Sequence, residues 1–108
     1  MLSINTEKKA NSLVFTLGGR IDASCAKDLE TQCLEWIEKG ETQMVMDLSQ
    51  VNFISSAGLR VILLVAKRLE PNGGRVKLAG LNATLMDVFE ISGFSKLFVI
   101  VPSVEDAL

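Results

Sequence analysis

Apolar and polar positions follow two rhythms along this chain, and the rhythm changes at recognisable punctuation. Ser12 to Leu17 (SLVFTL) is rich in β-forming residues and closes at Gly18-Gly19, which predicts a strand. Ile4 to Lys8 predicts a weaker edge strand, and the short Ala10-Asn11 turn between the two predicts an antiparallel pair. The spacing then becomes helical. Ala26, Leu29, Cys33, Trp36 and Ile37 recur on one side, with Lys27, Glu30, Glu35 and Glu38 mostly on the other. Asp22 or Ser24 can cap this half-exposed helix, and Gly40 follows its end. Met44 to Leu48 is apolar except for Asp47, as expected of a central strand covered on both faces.

Val51 to Ile54 leads into Ser55-Ser56-Ala57-Gly58. A second helix is expected from Leu59 to Leu69, stopped by Pro71-Asn72-Gly73-Gly74. Val61 to Ala66 is apolar nearly all round, so this helix should be well buried. Val76 to Ala79 reads as a further strand. Asn82 can cap a third helix carrying Leu85, Met86, Val88, Phe89 and Ile91 and ending at Gly93. Phe98 to Val101 reads as a last strand cut off by Pro102, and Ser103 with Asp106 resembles a capping box over a short terminal turn. Strands alternating with helices require crossovers, so the fold class is α/β. The expected architecture is a mixed, mostly parallel β-sheet of four to five strands packed with three to four α-helices.

Composition narrows the function classes. A chain of 108 residues is one domain by default. Its 48% hydrophobic content and net charge of -2 exclude a disordered polymer. The pI near 5.1 and the scattered basic residues argue against a nucleic-acid partner. No basic start followed by an apolar stretch opens the chain, and Val61 to Ala66 is too short to cross a bilayer. The expectation is a cytoplasmic protein with no membrane partner. Cys25 and Cys33 fall eight residues apart in one helix, about 12 Å along its axis, which excludes a bridge between them. With no histidine and no metal-ligand spacing, neither a metal nor a cofactor is expected.

Functional loops of open α/β sheets gather at the carboxyl ends of the parallel strands. Two such ends stand out, Gly19-Arg20-Ile21-Asp22 and Ile54-Ser55-Ser56-Ala57-Gly58. Ser56 is expected at the N-cap of the second helix. A phosphate there would sit at the positive end of the helix dipole while changing the external potential sharply. Gly58 is expected to remove bulk beside the hydroxyl and ease a kinase's approach. By residue type alone, a serine at a helix start is more often simply a cap. Asp22 and Asp47 could be paired carboxylates for acid–base work, but read better as a helix cap and a loop-ordering acceptor. Neither GxxxxGK[ST] nor GxGxxG is present, and no Ser–His or Cys–His pair is possible.

Met46 to Leu64, MDLSQVNFISSAGLRVILL, resembles the signature of STAS-domain anti-sigma factor antagonists. There, a strand ending in D-L-S leads through an apolar turn to an S/D-S-x-G-L element opening a helix. Leu17 to Ala23 is similar to the family's L-x-G-x-[LI]-D segment, and the order of elements matches along essentially the whole chain, residues 1–108, as one STAS domain. The resemblance implies a regulatory protein rather than an enzyme. Dephosphorylated members dock on an anti-sigma factor, often a small serine kinase, and so free the sigma factor. The kinase then phosphorylates the serine at the helix start, the complex parts, and a PP2C-type phosphatase resets the switch. Aligned on Gly58-Leu59, the acceptor falls on Ser56, with Ser55 as the alternative because many members carry Asp there. The implied docking surface comprises Asp22, Ala23, Ser24, Ile54, Ser55, Gly58, Leu59 and Arg60, with apolar help from Ile21. Arg60 stands where a small residue is common.

Two other readings compete. One is a STAS accessory subunit of a transport or signalling assembly, never phosphorylated, in which Ser56 only caps its helix. The other is a small enzyme using Asp22 and Asp47, which the missing histidine, metal ligands and nucleotide loop disfavour. A monomer or weak dimer is expected, the latter through an exposed edge at Leu2 to Ile4.

Overall fold

The computed structural model describes residues 2–108. Strand β1 (Leu2–Lys9) turns at Ala10, whose φ of 53° closes a tight reversal, and returns as β2 (Ser12–Ile21). The two are antiparallel, with Ile4 opposite Leu17. Three further strands follow, each reached through a helix: α1 (Ala23–Glu38) to β3 (Gln43–Ile54), α2 (Ser56–Leu69) to β4 (Arg75–Ala79), and α3 (Ala83–Ile91) to β5 (Val99–Val101). These pairings are parallel, and the sheet order is β1-β2-β3-β4-β5. The result is the mixed, mostly parallel sheet expected, with five strands and three α-helices. β1 and β5 form its edges.

Alternation along the strands divides the core. Leu13, Phe15 and Leu17 of β2 and Met44, Met46 and Leu48 of β3 face the helices. There they meet Leu29 and Cys33 of α1, Ile62 and Val65 of α2, and Leu85 and Phe89 of α3. The intervening residues Val14, Val45 and Ala79 point to the opposite face, where Ala107 packs on them beside Val101 and Val104. The Lys77 ammonium donates to the Ala107 carbonyl at 3.1 Å and pins this terminal turn. Thus β3 is covered on both faces between Met44 and Met46, by helices on one side and by a short 3-10 turn (Glu105–Ala107) on the other.

Four expectations are corrected. β3 does not stop at Leu48 but runs on to Ile54, through register shifts that fall between Thr16 and Gly18 and between Gly19 and Arg20 on β2. Asp47 supports this irregularity by accepting the Ser49 N–H at 3.0 Å. α2 is not buried all round: Val61, Ile62, Val65 and Leu69 face the sheet, while Leu63 and Leu64 are left half-buried beside exposed Arg60, Lys67 and Arg68. A period of 3.6 residues cannot turn six consecutive side chains to one side. β5 begins at Val99, because Phe98 instead packs edge-on against Phe89 at a ring separation of 6.4 Å. Ser103 donates to the Asp106 carboxylate at 3.0 Å, but neither side chain caps backbone, so no capping box forms.

Candidate functional site

The carboxyl ends of β2 and β3 lie side by side, with Ile21 opposite Ile54. From each end the chain turns into a helix, and the two turns are tied together: the Ser55 N–H donates to the Ile21 carbonyl at 2.8 Å. This juxtaposition brings the two sequence segments, Gly19–Asp22 and Ile54–Gly58, to one place.

Asp22 is the N-cap of α1, as expected. Its Oδ1 accepts the Ser24 N–H at 3.0 Å and the Ser24 hydroxyl at 2.6 Å. These two bonds, assisted by Arg20 at 3.6 Å, hold the Asp22 carboxyl below its ordinary value of 3.8. Cys25 does more than fill space. The Asp22 N–H donates to Cys25 Sγ at 3.4 Å, completing a reciprocal cap, and the thiol donates to the Arg20 carbonyl at 3.2 Å. Cys33 is different: burial pushes its thiol up to about 12, leaving it inert. Both cysteines are free.

The second turn corrects the assignment of the two serines. Ser55, not Ser56, is the N-cap of α2. Its backbone is extended (φ -91°, ψ 173°), and its Oγ accepts the Gly58 N–H at 3.2 Å. Ser56 is the first helical residue, exposed, and among the described residues its hydroxyl has no hydrogen-bond partner. Composition cannot separate adjacent serines; the backbone does, because only a residue with extended ψ aims its oxygen at the helix amides. Ser55→Ala should therefore cost about 1 kcal/mol, the usual value of a serine cap. Ser56→Ala should change stability by less than about 0.5 kcal/mol, as for other surface positions. Urea unfolding of the two variants checks both.

Gly58 is also corrected. A Cβ there would lie 2.7 Å from Ile21 Cγ2, 2.9 Å from Ile54 Cγ1 and 3.0 Å from the Ile21 carbonyl oxygen. The missing side chain faces the sheet, not the Ser56 hydroxyl. It allows α2 to start hard against the ends of β2 and β3. Ile21, Ile54 and Leu59 are likewise core residues, 0%, 5% and 8% exposed, so they position the surface rather than form it. What remains accessible is Asp22, Ala23, Ser24, Ser55, Ser56 and Arg60.

The structure adds a pair that sequence reasoning missed. Arg20 stacks its guanidinium 4.2 Å from the ring centre of Phe53, directly across the β2–β3 pairing, while reaching Asp22. Phe53 is 38% exposed, an unusual position for a large aromatic, and lies two residues before the Ser55 cap. Only the cross-strand register brings the two together.

The enzymatic reading finds no support in placement. Asp47 lies on β3 opposite Thr16, seven residues before Ile54 and so roughly 20 Å along the strand from the Asp22 end. Among the described residues no His/Cys/Asp/Glu group could hold a metal, and no helix is long and apolar enough to cross a membrane. A hollow of about 380 Å³ between Arg60, Leu63, Leu64, Lys67 and Arg68 borders the site at Arg60 and extends along α2 away from the serines. The two-loop site is an exposed surface suited to a macromolecular partner.

The family model for the STAS domain matches residues 3–107. BtrV of Bordetella bronchiseptica, proposed to be an anti-sigma factor antagonist, is 39% identical over 106 residues, covering 98% of this chain and 91% of BtrV. The anti-sigma-B factor antagonist of Bacillus subtilis is 25% identical over 96 residues, covering 89% and 87%. Among solved structures, the Bacillus cell fate determinant SpoIIAA in its phosphorylated form superposes with a TM-score of 0.77 at 22% identity, over 97% of this chain and 96% of that one. With its five-stranded mixed sheet, its two tied loops and a family match that spans nearly every residue, this chain belongs to the STAS-domain family.

Proposed function

We propose that this chain is an anti-sigma factor antagonist that docks through the Asp22–Ser24 and Ser55–Arg60 surface and is switched off by phosphorylation of Ser56. One observation carries the site: Ser56 presents an exposed hydroxyl with no hydrogen bond among the described residues, while its neighbour Ser55 is committed to capping. A kinase can take the first without dismantling the fold. The similarity to BtrV and to the Bacillus antagonist supports the function, and the phosphorylated form of SpoIIAA supports the chemistry.

The unmodified surface offers a partner a cation at Arg60, a stacked aromatic at Phe53 and small residues at Ala23, Ser24 and Ser56. The partner in this reading is an anti-sigma factor with serine kinase activity. It transfers the γ-phosphoryl group of ATP to Ser56 Oγ, leaving ADP, and a PP2C-type phosphatase later removes it by hydrolysis. The chain itself performs no chemistry. It supplies an acceptor at a fixed distance from the residues that dock.

The test is displacement. Added to a purified complex of the anti-sigma factor with its sigma factor, unmodified protein should release the sigma factor stoichiometrically, as read by size-exclusion chromatography. Failure to bind or release, with folded protein and an intact complex, would replace this reading with that of an unphosphorylated accessory subunit.

A further inference from the structure

Arg60 is exposed, in the first turns of α2, and among the described residues it makes no ion pair. It stands four residues after Ser56 on the same continuous helix. Side chains at i and i+4 are neighbours on a helix surface, with Cβ atoms about 5–6 Å apart. Arginine's forked guanidinium is the side chain best matched to phosphate oxygens, which it can hold by two parallel N–H···O bonds.

Three other cations, one beside the site and two on the same helix, are occupied or distant. Arg20 is committed to the Asp22 carboxylate and to the Phe53 ring. Lys67 and Arg68 follow Ser56 by eleven and twelve residues, roughly 16–18 Å along the helix axis. The acidic group on the neighbouring loop, Asp22, is itself occupied by Ser24 and Arg20. Ser55, at i+5 from Arg60, lies outside the favourable spacing, and its oxygen is turned toward the Gly58 N–H.

We infer that Arg60 is the internal counter-ion of phosphorylated Ser56, and that phosphorylation turns off docking in two ways at once: it adds a dianion and withdraws the cation that the unmodified surface presents. This rests on the proposed acceptor site and adds what that reading lacks, a residue within this chain that holds the phosphate. Arg60 is a positioning residue. It touches no reacting atom, and it acts by drawing the phosphate down along the helix flank. The net charge change that a partner meets is that of the phosphate, but the cation that the unmodified surface offered is no longer free to pair with the partner.

The test does not require the kinase. Phosphoserine is incorporated at position 56 during synthesis, in the parent chain and in Arg60→Gln, Arg60→Lys and Lys67→Gln variants, and the second phosphate ionisation of each is titrated by ³¹P NMR. A phosphoserine ordinarily ionises near pH 6. An i,i+4 ion pair of ordinary strength lowers that value by about 0.15–0.35 unit. Arg60→Gln should therefore raise it by that amount, Arg60→Lys should recover part of the difference, and Lys67→Gln should leave it unchanged. A difference that shrinks in high salt supports a direct charge contact. Equal ionisation in the parent and Arg60→Gln proteins would overturn the assignment, as would an equal shift in Lys67→Gln, which would mark a general field. Because the phosphate is installed independently, a failure here separates from a failure of the kinase to choose Ser56.

Discussion

Phosphorylation of Ser56 is expected to weaken binding to the anti-sigma factor by about a hundredfold or more. Phosphate adds about -1.5 to -2 charges at pH 7 to a residue that is otherwise neutral. Ser56 lies exposed in the second of the two tied loops, so a partner docked on the proposed surface also covers the phosphate. Burying a charge without full compensation costs several kcal/mol, and each 1.4 kcal/mol is a factor of ten in affinity. Arg60 offsets part of that cost, but only by surrendering its own contact with the partner. The folded state should tolerate the modification. The first turn of a helix favours negative charge, and the cap belongs to Ser55 rather than to the modified oxygen. Isothermal titration calorimetry of unmodified protein and of protein carrying phosphoserine at 56, against the same anti-sigma factor, measures the ratio. A change of less than about threefold, or a modified protein that unfolds, contradicts the account, since an exposed site is expected to tolerate the change.

The second large effect is on the fold itself. Gly58→Ala should destabilise the protein by about 2–3 kcal/mol, the cost of overpacking a closed core. The added carbon meets two buried β-branched side chains and one carbonyl oxygen, all at 3.0 Å or closer. Alanine's better helix propensity, about 1 kcal/mol over glycine, offsets only part of the strain. Relief requires α2 to move away from the ends of β2 and β3, which would loosen the Ser55–Ile21 hydrogen bond and spread the two loops. Thermal unfolding should show a fall in Tm of roughly 10 °C, from about 4–8 °C per kcal/mol for a domain of this size. Partner affinity at low temperature should fall as well, although Gly58 is buried. An unchanged Tm would show that the close approach at Gly58 is not needed.

Periodicity was a reliable guide wherever burial is one-sided. The rows Leu13-Phe15-Leu17 and Leu29-Cys33 each face one core, so apolar spacing and structure agree. It misled where two surfaces compete. The run Val61 to Ala66 looks uniformly apolar, yet Leu63 and Leu64 turn toward solvent because the helix has only one side against the sheet. The extension of β3 past Leu48 was hidden because its register shifts depend on β2, a long-range partner. The site was legible as two loops, and as a serine at a helix start, but not at the resolution of one residue. Whether Ser55 or Ser56 caps depends on a single ψ angle. The inward direction of Gly58 and the Arg20–Phe53 stack depend on how two parallel strands are aligned. Arg60 was visible as an unusual residue; the continuous helix from Ser56 gives it a place relative to the acceptor.

The division of labour between the adjacent serines is the centre of this account, and peptide mass spectrometry tests it most directly. Parent protein, Ser55→Ala and Ser56→Ala are incubated with the kinase-active anti-sigma factor and ATP, and the phosphorylated residue is located by fragmentation. The expected result is one phosphate on Ser56 in the parent and in Ser55→Ala, and none in Ser56→Ala. Phosphate on Ser55, or no phosphate under conditions where a control substrate is fully labelled, would contradict it.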